Sequence, residues 1–273
     1  MVLTSIILGV LGLVAGSFVN AVVWRVRQQE LKPKNKLSIL TGRSQCPNCG
    51  HQLAPKDLVP VLSWLALRGR CRYCQRPISP QYPLVEIAGG LVFGLSYIYW
   101  PGGVSTIADW LQLAGWLLSS VGLLALLVFD LRWLILPNKI IYPTLLAASA
   151  GRLVYITGFE SRPWQALGGW LLAVLVASGF FWLLYAASKG QWIGFGDVRL
   201  GLIIGSLVAG PAEALATIIV ASVIGSALVI PLLLSGRKHL GEKVAFGPLL
   251  IAATWLVVLF GGQLIDWYQR LLA

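Results

Sequence analysis

Negative charge is scarce in this chain, and so is charge of any kind. Ten Asp and Glu stand against 21 Lys and Arg, and charged residues make up only 11% of 273. A soluble domain carries about a quarter, so an ordinary soluble fold is excluded. Histidine occurs twice, at His51 and His239, and no Ser-His-Asp arrangement, Walker loop or dinucleotide fingerprint can be read. Apolar residues do not alternate with polar ones but run on continuously, which argues against a membrane β-barrel.

What is present is apolar length. The chain is 57% hydrophobic with a mean hydropathy of +0.78, the composition of an all-α polytopic membrane protein. Apolar stretches between charge and Pro/Gly clusters predict about eight transmembrane helices, near 2–23, 84–100, 112–130, 138–157, 165–187, 197–210, 213–234 and 245–265. The sixth is short and contains Gly201 and Gly205, so it and the seventh also read as one broken helix. Gly90-x-x-x-Gly94 and Gly201-x-x-x-Gly205 permit close helix contact, although glycine is frequent in any membrane helix. Trp24, Trp100, Trp110, Trp133, Trp164, Trp192 and Trp267 fall near predicted interfaces, as amphipathic rings do.

The chain divides on this reading into a first helix over 1–23, a basic insert over 24–83 and a membrane core over 84–273. Eleven cations in the insert face only Glu30 and Asp57, giving nine of the net +11. Alternating eight spans puts Arg132, Lys139, Lys189, Arg199, Arg237, Lys238 and Lys243 on the same side as the insert. Asp109, Glu160, Glu213 and Asp266 then lie opposite with Arg162 and Arg270. The positive-inside rule makes the basic side cytoplasmic and both termini external. Topology thus accounts for the basicity, and no basic-aromatic groove points to nucleic acid. No charged side chain precedes the first apolar run, while Arg25 and Arg27 follow it. That order is expected of a retained helix rather than a cleaved signal peptide.

All four cysteines lie in the insert, as Cys46-Pro-Asn-Cys49 and Cys71-Arg-Tyr-Cys74. Paired C-x-x-C knuckles suit a tetrahedral structural zinc, and a site made of four thiolates leaves no open position for catalysis. A cytoplasmic location argues against disulfides, and His51 is read as a bystander. An insert of this size has little core, so metal would supply much of its folding energy.

Two acids sit where charge is costly. Asp130 closes the run Leu123–Phe129, and Asp197 follows Gly194-Phe-Gly196 at the head of another. Taken singly, either also reads as a helix cap or a solvated helix end. Placed on one side of the bilayer, they suggest a shared task.

The order of the short blocks is more specific. Gly16-Ser-Phe-Val-Asn20, Cys46-Pro-Asn-Cys49, Pro60-Val-Leu-Ser-Trp64-Leu and Leu67-Arg-Gly-Arg-Cys71-Arg-Tyr-Cys74 come first. Ile78-Ser, Tyr82-Pro-Leu-Val-Glu86, Asp130 with Leu136-Pro-Asn138, Gly194-Phe-Gly-Asp197 and Phe246-Gly-Pro248 follow. This series resembles the type IV prepilin leader peptidases, which are GxGD-type intramembrane aspartic peptidases. The resemblance implies a multi-pass enzyme of the bacterial inner membrane with its active site facing the cytoplasm. Such an enzyme removes the basic leader of prepilins or pseudopilins with Asp130 and Asp197. Members with the cysteine-bearing insert usually also methylate the new N-terminus with S-adenosylmethionine, for which no residues can be assigned. Arg199 stands where the family commonly has Lys, and Gln81 where a basic residue often precedes the Tyr-Pro-Leu-Val-Glu block.

An aspartate pair hydrolyses a peptide by sharing one proton. Asp130 lies at a predicted helix C-terminus and Asp197 at a predicted N-terminus, so the helix dipoles predict that Asp197 is the carboxylate and Asp130 the acid. Glu86 is expected either to pair with an Arg or to receive the basic leader or the mature N-terminus. Anionic headgroups are expected to hold enzyme and substrate at the membrane surface. Two other readings remain: a GxGD-type protease with other substrates, and a non-enzymatic zinc-bearing scaffold or transporter.

Overall fold

The computed structural model describes residues 1–32, 38–208, 210–236 and 244–272. Lys34, Lys36, Arg237, Lys238, His239 and Lys243, some of which enter the charge argument, lie outside the described residues. The described chain is helical, with isolated bridges at Gln45–Gln52 and Arg70–Pro77 in place of any strand. It forms two compact units, Met1–Ile98 and Tyr99–Ala273.

The first unit contains α1 (Val2–Leu31), a 3-10 turn (Pro55–Asp57), α2 (Leu62–Ala66) and α3 (Gln81–Ile98). Helix α1 runs past the predicted boundary at residue 23. Arg, Gln and Glu in its last turns are good helix formers, and Arg27 pairs with Glu30 at 3.3 Å. The start of the predicted insert is therefore helix.

Helices α1 and α3 lie antiparallel along small residues. Ideal Cβ atoms at Gly12 and Gly16 would stand 2.3 Å from the Gly89 carbonyl and 2.6 Å from the Glu86 Cα. Only glycine lets the backbones come that close. The Gly16-Ser-Phe-Val-Asn20 and Tyr82-Pro-Leu-Val-Glu86 blocks are thus two sides of one helix contact. Asn20 seals its end by donating to the Tyr82 carbonyl at 3.0 Å.

The second unit contains α4 (Ile107–Trp133), α5 (Asn138–Phe159), α6 (Pro163–Ala187), α7 (Phe195–Leu207), α8 (Pro211–Leu234) and α9 (Gly247–Leu272). A capping box starts α4: Thr106 Oγ1 accepts from the Asp109 N–H at 3.2 Å, and Asp109 accepts from the Thr106 N–H at 2.7 Å. Leu134, left-handed at φ 54°, stops α4, and its N–H bonds the Asp130 carbonyl. Pro163 and Pro211 open α6 and α8 at the position where a missing N–H costs nothing. Helix α7 beds on α6 through Gly201 and Gly205, and Ser178 donates to the Val198 carbonyl at 3.0 Å.

Among the described residues, six helices are long and apolar enough to cross a membrane: α1, α4, α5, α6, α8 and α9. This corrects the expectation of about eight. Helix α7 has only 13 residues, and α3 has 18 with Gln81 and Glu86 near its head. Even so, α3 follows α1 from Asn20 back to Ser5, against which Gly94 lies.

The close contact carries a prediction. Gly16→Ala must force α1 and α3 apart and destabilise the unit by roughly 1–3 kcal/mol, while Gly9→Ala, whose Cβ would lie 3.7 Å from the Gly90 carbonyl, is tolerated. Thermal unfolding in detergent should show a lower midpoint for the first variant only.

Candidate functional site

The insert holds two copies of one knuckle. In each, the first cysteine's N–H bonds the carbonyl five residues on: Cys46 to His51 and Cys71 to Arg76, both 2.9 Å. Its carbonyl accepts the N–H four residues on, from Gly50 and Gln75. Those two residues take positive φ, 71° and 57°, which turns each loop back on itself.

The knuckles bring all four sulfurs within 4.8 Å of one another, with Cys46 and Cys74 at 3.9 Å. A tetrahedral zinc with Zn–S near 2.3 Å separates its sulfurs by about 3.8 Å. A disulfide needs about 2.05 Å, and all four cysteines are free. The donor set therefore fits a zinc-type cation. The electrostatics agree. Although burial opposes it, N–H groups of Cys49 and Asn48 and neighbouring thiols draw Cys46 down to about 7. Despite the Arg76 N–H, burial and the other thiols push Cys74 up to about 11. Four thiolates this close need a cation between them. His51 stacks on Tyr73 at 3.6 Å and stands outside the cluster.

Asp57 and Glu86 brace this insert. Asp57 accepts from Arg72 Nε at 2.7 Å, the Tyr73 hydroxyl at 2.9 Å and the Ala54 N–H at 3.2 Å. Glu86, buried on α3, accepts the Val61 N–H at 2.7 Å. It has no ion-pair partner among the described residues, so the expected Arg pairing is not found. Instead, Glu86 satisfies a backbone donor at a non-glycine residue held at φ 61°. Sequence reasoning missed this because nothing local links the two positions.

In the second unit, α4 and α7 each deliver an aspartate from a helix end. Asp130 is buried in the last turn of α4, and Asp197 lies in the first turn of α7, close enough to feel the charge of Asp130. The segment between α4 and α5 reaches the head of α7. Leu136 packs where a Gly196 side chain would be, at 3.1–3.5 Å, and Arg199 hydrogen-bonds Asn138 Oδ1. The Gly247 N–H, at the start of α9, donates to Asp130 Oδ2 at 3.1 Å. Gly247 belongs to the Phe-Gly-Pro block noticed in the sequence without a role; Gly-Pro at a helix start was the available signal. A cavity of about 310 Å³ lined by Gln112, Arg152, Ser206 and Glu213 lies elsewhere in this unit. Its α4 residue Trp116 is roughly 20 Å along the helix from Asp130 at 1.5 Å per residue.

Comparison with known proteins separates the family from its alternatives. The profile described as Bacterial Peptidase A24 N-terminal domain matches residues 10–100, and that of the Type IV leader peptidase family matches residues 117–230. A protein of Stutzerimonas stutzeri named prepilin leader peptidase/N-methyltransferase is 32% identical over 96% of this chain and 92% of its own. The chain belongs to the type IV prepilin leader peptidase family. Proteins of the same name from Pseudomonas aeruginosa and Aeromonas hydrophila are both 31% identical, over 95% and 94% of this chain and 91% and 90% of their own. No solved structure matches.

Against that family pattern, the two departures have structural explanations. Arg199 uses its planar head twice, bonding Asn138 and lying 4.8 Å from the centre of the Phe195 ring; an ammonium group could not cover both so well. Gln81 donates to Asn20 Oδ1 at 3.2 Å, a contact that needs a donor but no charge.

Asp57 supports a prediction. Burial pushes its carboxyl up, but the bonds from Arg72, Tyr73 and Ala54 outweigh this and hold it below the ordinary carboxylate value. Its support is therefore present above about pH 4 and is lost as pH falls through the lowered value. Asp57→Asn should speed limited proteolysis within residues 38–80 at neutral pH. The gap from wild type should close as the medium is acidified below that range.

Proposed function

We propose that this protein cleaves the basic leader from type IV prepilins or pseudopilins with Asp130 and Asp197. We also propose that it methylates the new N-terminus with S-adenosylmethionine. The observation that supports the peptidase reading is that two carboxyl groups, from separate helix ends, lie close enough for one to feel the other's charge. Two such groups share a proton, leaving one to take a proton from water and one to donate a proton to the scissile carbonyl. Methylation rests on family membership, and its residues are unassigned.

Zinc held by Cys46, Cys49, Cys71 and Cys74 is proposed as structural: all four positions are thiols, with none left for water or substrate. The basic insert and the aspartate pair are proposed to face the cytoplasm of the inner membrane, the side from which a basic leader would approach. Described cations from Arg25 to Arg76 support that orientation. They also repel the leader, so affinity must come chiefly from packing of the substrate's apolar helix and from shared attraction to anionic headgroups.

The test is leader removal in liposomes by purified protein. Asp130→Asn and Asp197→Asn, each folded, should lower turnover by at least about 10³-fold. Cleavage surviving in either variant would remove that aspartate from the reaction. Uncleaved prepilin with the wild type would favour a protease with other substrates. Transfer of labelled methyl from S-adenosylmethionine to the trimmed pilin checks the second activity. Elemental analysis should find one zinc per wild-type chain, and none in Cys71→Ser.

A further inference from the structure

The helix ends that hold the two aspartates tell only part of their electrostatics, because a third helix ends there too. Every helix leaves its first N–H groups without internal acceptors. In α9 these can be accounted for one by one. Leu249 and Leu250 N–H groups both bond the Phe246 carbonyl at 3.1 Å. Pro248 has no N–H. The Gly247 N–H remains, and it donates to Asp130 Oδ2 in a buried bond of 3.1 Å. The fit leaves no room for a side chain: a Cβ at 247 would lie 2.6 Å from that same oxygen. The Phe-Gly-Pro block therefore does three things. Phe246 supplies the acceptor for two amides, Pro248 removes a competing donor, and Gly247 presents its N–H at closest approach.

Asp197 is treated differently. Its carboxyl has a backbone N–H beside it as well, that of Gly194 in the link leading into α7, but it also lies against the charge of Asp130. The nearby guanidinium of Arg199 is engaged by Asn138 and lies over Phe195. A backbone N–H can only donate, so it favours the ionised form of the acid it meets.

We propose that Gly247 is a positioning residue that makes Asp130 the carboxylate of the pair and leaves the shared proton on Asp197, the reverse of the assignment the helix dipoles of α4 and α7 suggest. The proposal rests on the peptidase reading above. In the resulting reaction, Asp130 takes a proton from water as the water oxygen bonds the scissile carbon. Asp197 gives its proton to the carbonyl oxygen, forming a neutral gem-diol. Asp130 then protonates the amide nitrogen as the C–N bond breaks, and Asp197 takes a proton back from a diol hydroxyl. Both groups return to their starting states, and the products are an amine and a carboxylic acid.

Two measurements test this. In cleavage assays, Gly247→Ala should lower kcat by about 10²–10³-fold, as loss of one preorganised donor does. KM should stay within a few-fold, because substrate packing is untouched. Gly262→Ala, on the same helix with open space around it, should match wild type. A Gly247→Ala enzyme with normal kcat would overturn the proposal. The second measurement needs neither turnover nor a viable Gly247 variant: infrared spectra of protein carrying isotope-labelled aspartate, at neutral pH. A protonated-carboxyl band should be present in wild type and vanish in Asp197→Asn, where the Gly247 N–H keeps Asp130 ionised. A band that survives in Asp197→Asn would overturn the assignment, whereas failure of wild type to cleave prepilin would count against the peptidase reading alone.

Discussion

A carboxyl group at the end of an apolar helix stays useful only if its charge is met by something fixed. Lipid offers nothing, and water at the membrane edge is not oriented, so the donor must come from the protein. In this chain the donor to Asp130 comes from 117 residues away, at the first amide of α9. The arrangement of the second unit follows from that requirement. Helix α4 must end beside the start of α9, α7 must begin beside both, and the short link to α5 must fill the space between. Leu134 turning into the left-handed region and Leu136 packing against Gly196 are the local means of doing so.

Close helix contact is the second constraint, and it is met mainly by leaving side chains out. Between α1 and α3, and again between α6 and α7, backbone lies against backbone at glycine. In a membrane, helices gain little from hydrophobic association, so contact area and dispersion must hold them together. Small side chains at these positions also bring hydrogen-bonding groups within reach, as with Asn20 on the Tyr82 carbonyl and Ser178 on that of Val198. The short α7 depends on this most, since thirteen residues cannot cross the apolar slab alone.

Much of this was legible in the residues. Continuous apolar runs marked the helices, and the spacing of Cys46, Cys49, Cys71 and Cys74 marked a four-thiol cluster, because both are local patterns. The two helices that fell short as spans were harder to read. A window average does not reveal that α3, with Gln81 and Glu86 at its head, lies along α1 by small-residue contact. The partners of Glu86 and Asp130 were illegible for a different reason. Each is a backbone N–H, which every residue but proline possesses, so no side-chain pattern announces it. Helix-dipole reasoning considered the ends of α4 and α7 and had no means of knowing that α9 also ends there.

The insert solves a problem of size by a different route. With Cys46 and Cys71 among its few buried apolar groups, the segment cannot rely on a hydrophobic core. Its two knuckles instead converge on a cluster of four sulfurs, which as thiolates repel one another unless a cation intervenes. Asp57 then joins the second knuckle to the turn before α2, through Arg72 and Tyr73, and Glu86 joins the start of α2 to α3. This gives the acids of the insert region a structural task. Glu86 in particular has one oxygen committed to the Val61 amide, so recruiting it to a leader's lysine would have to leave the insert's attachment to α3 intact. A substrate contact there would therefore be coupled to the anchoring of the metal-binding segment, rather than being a simple surface ion pair.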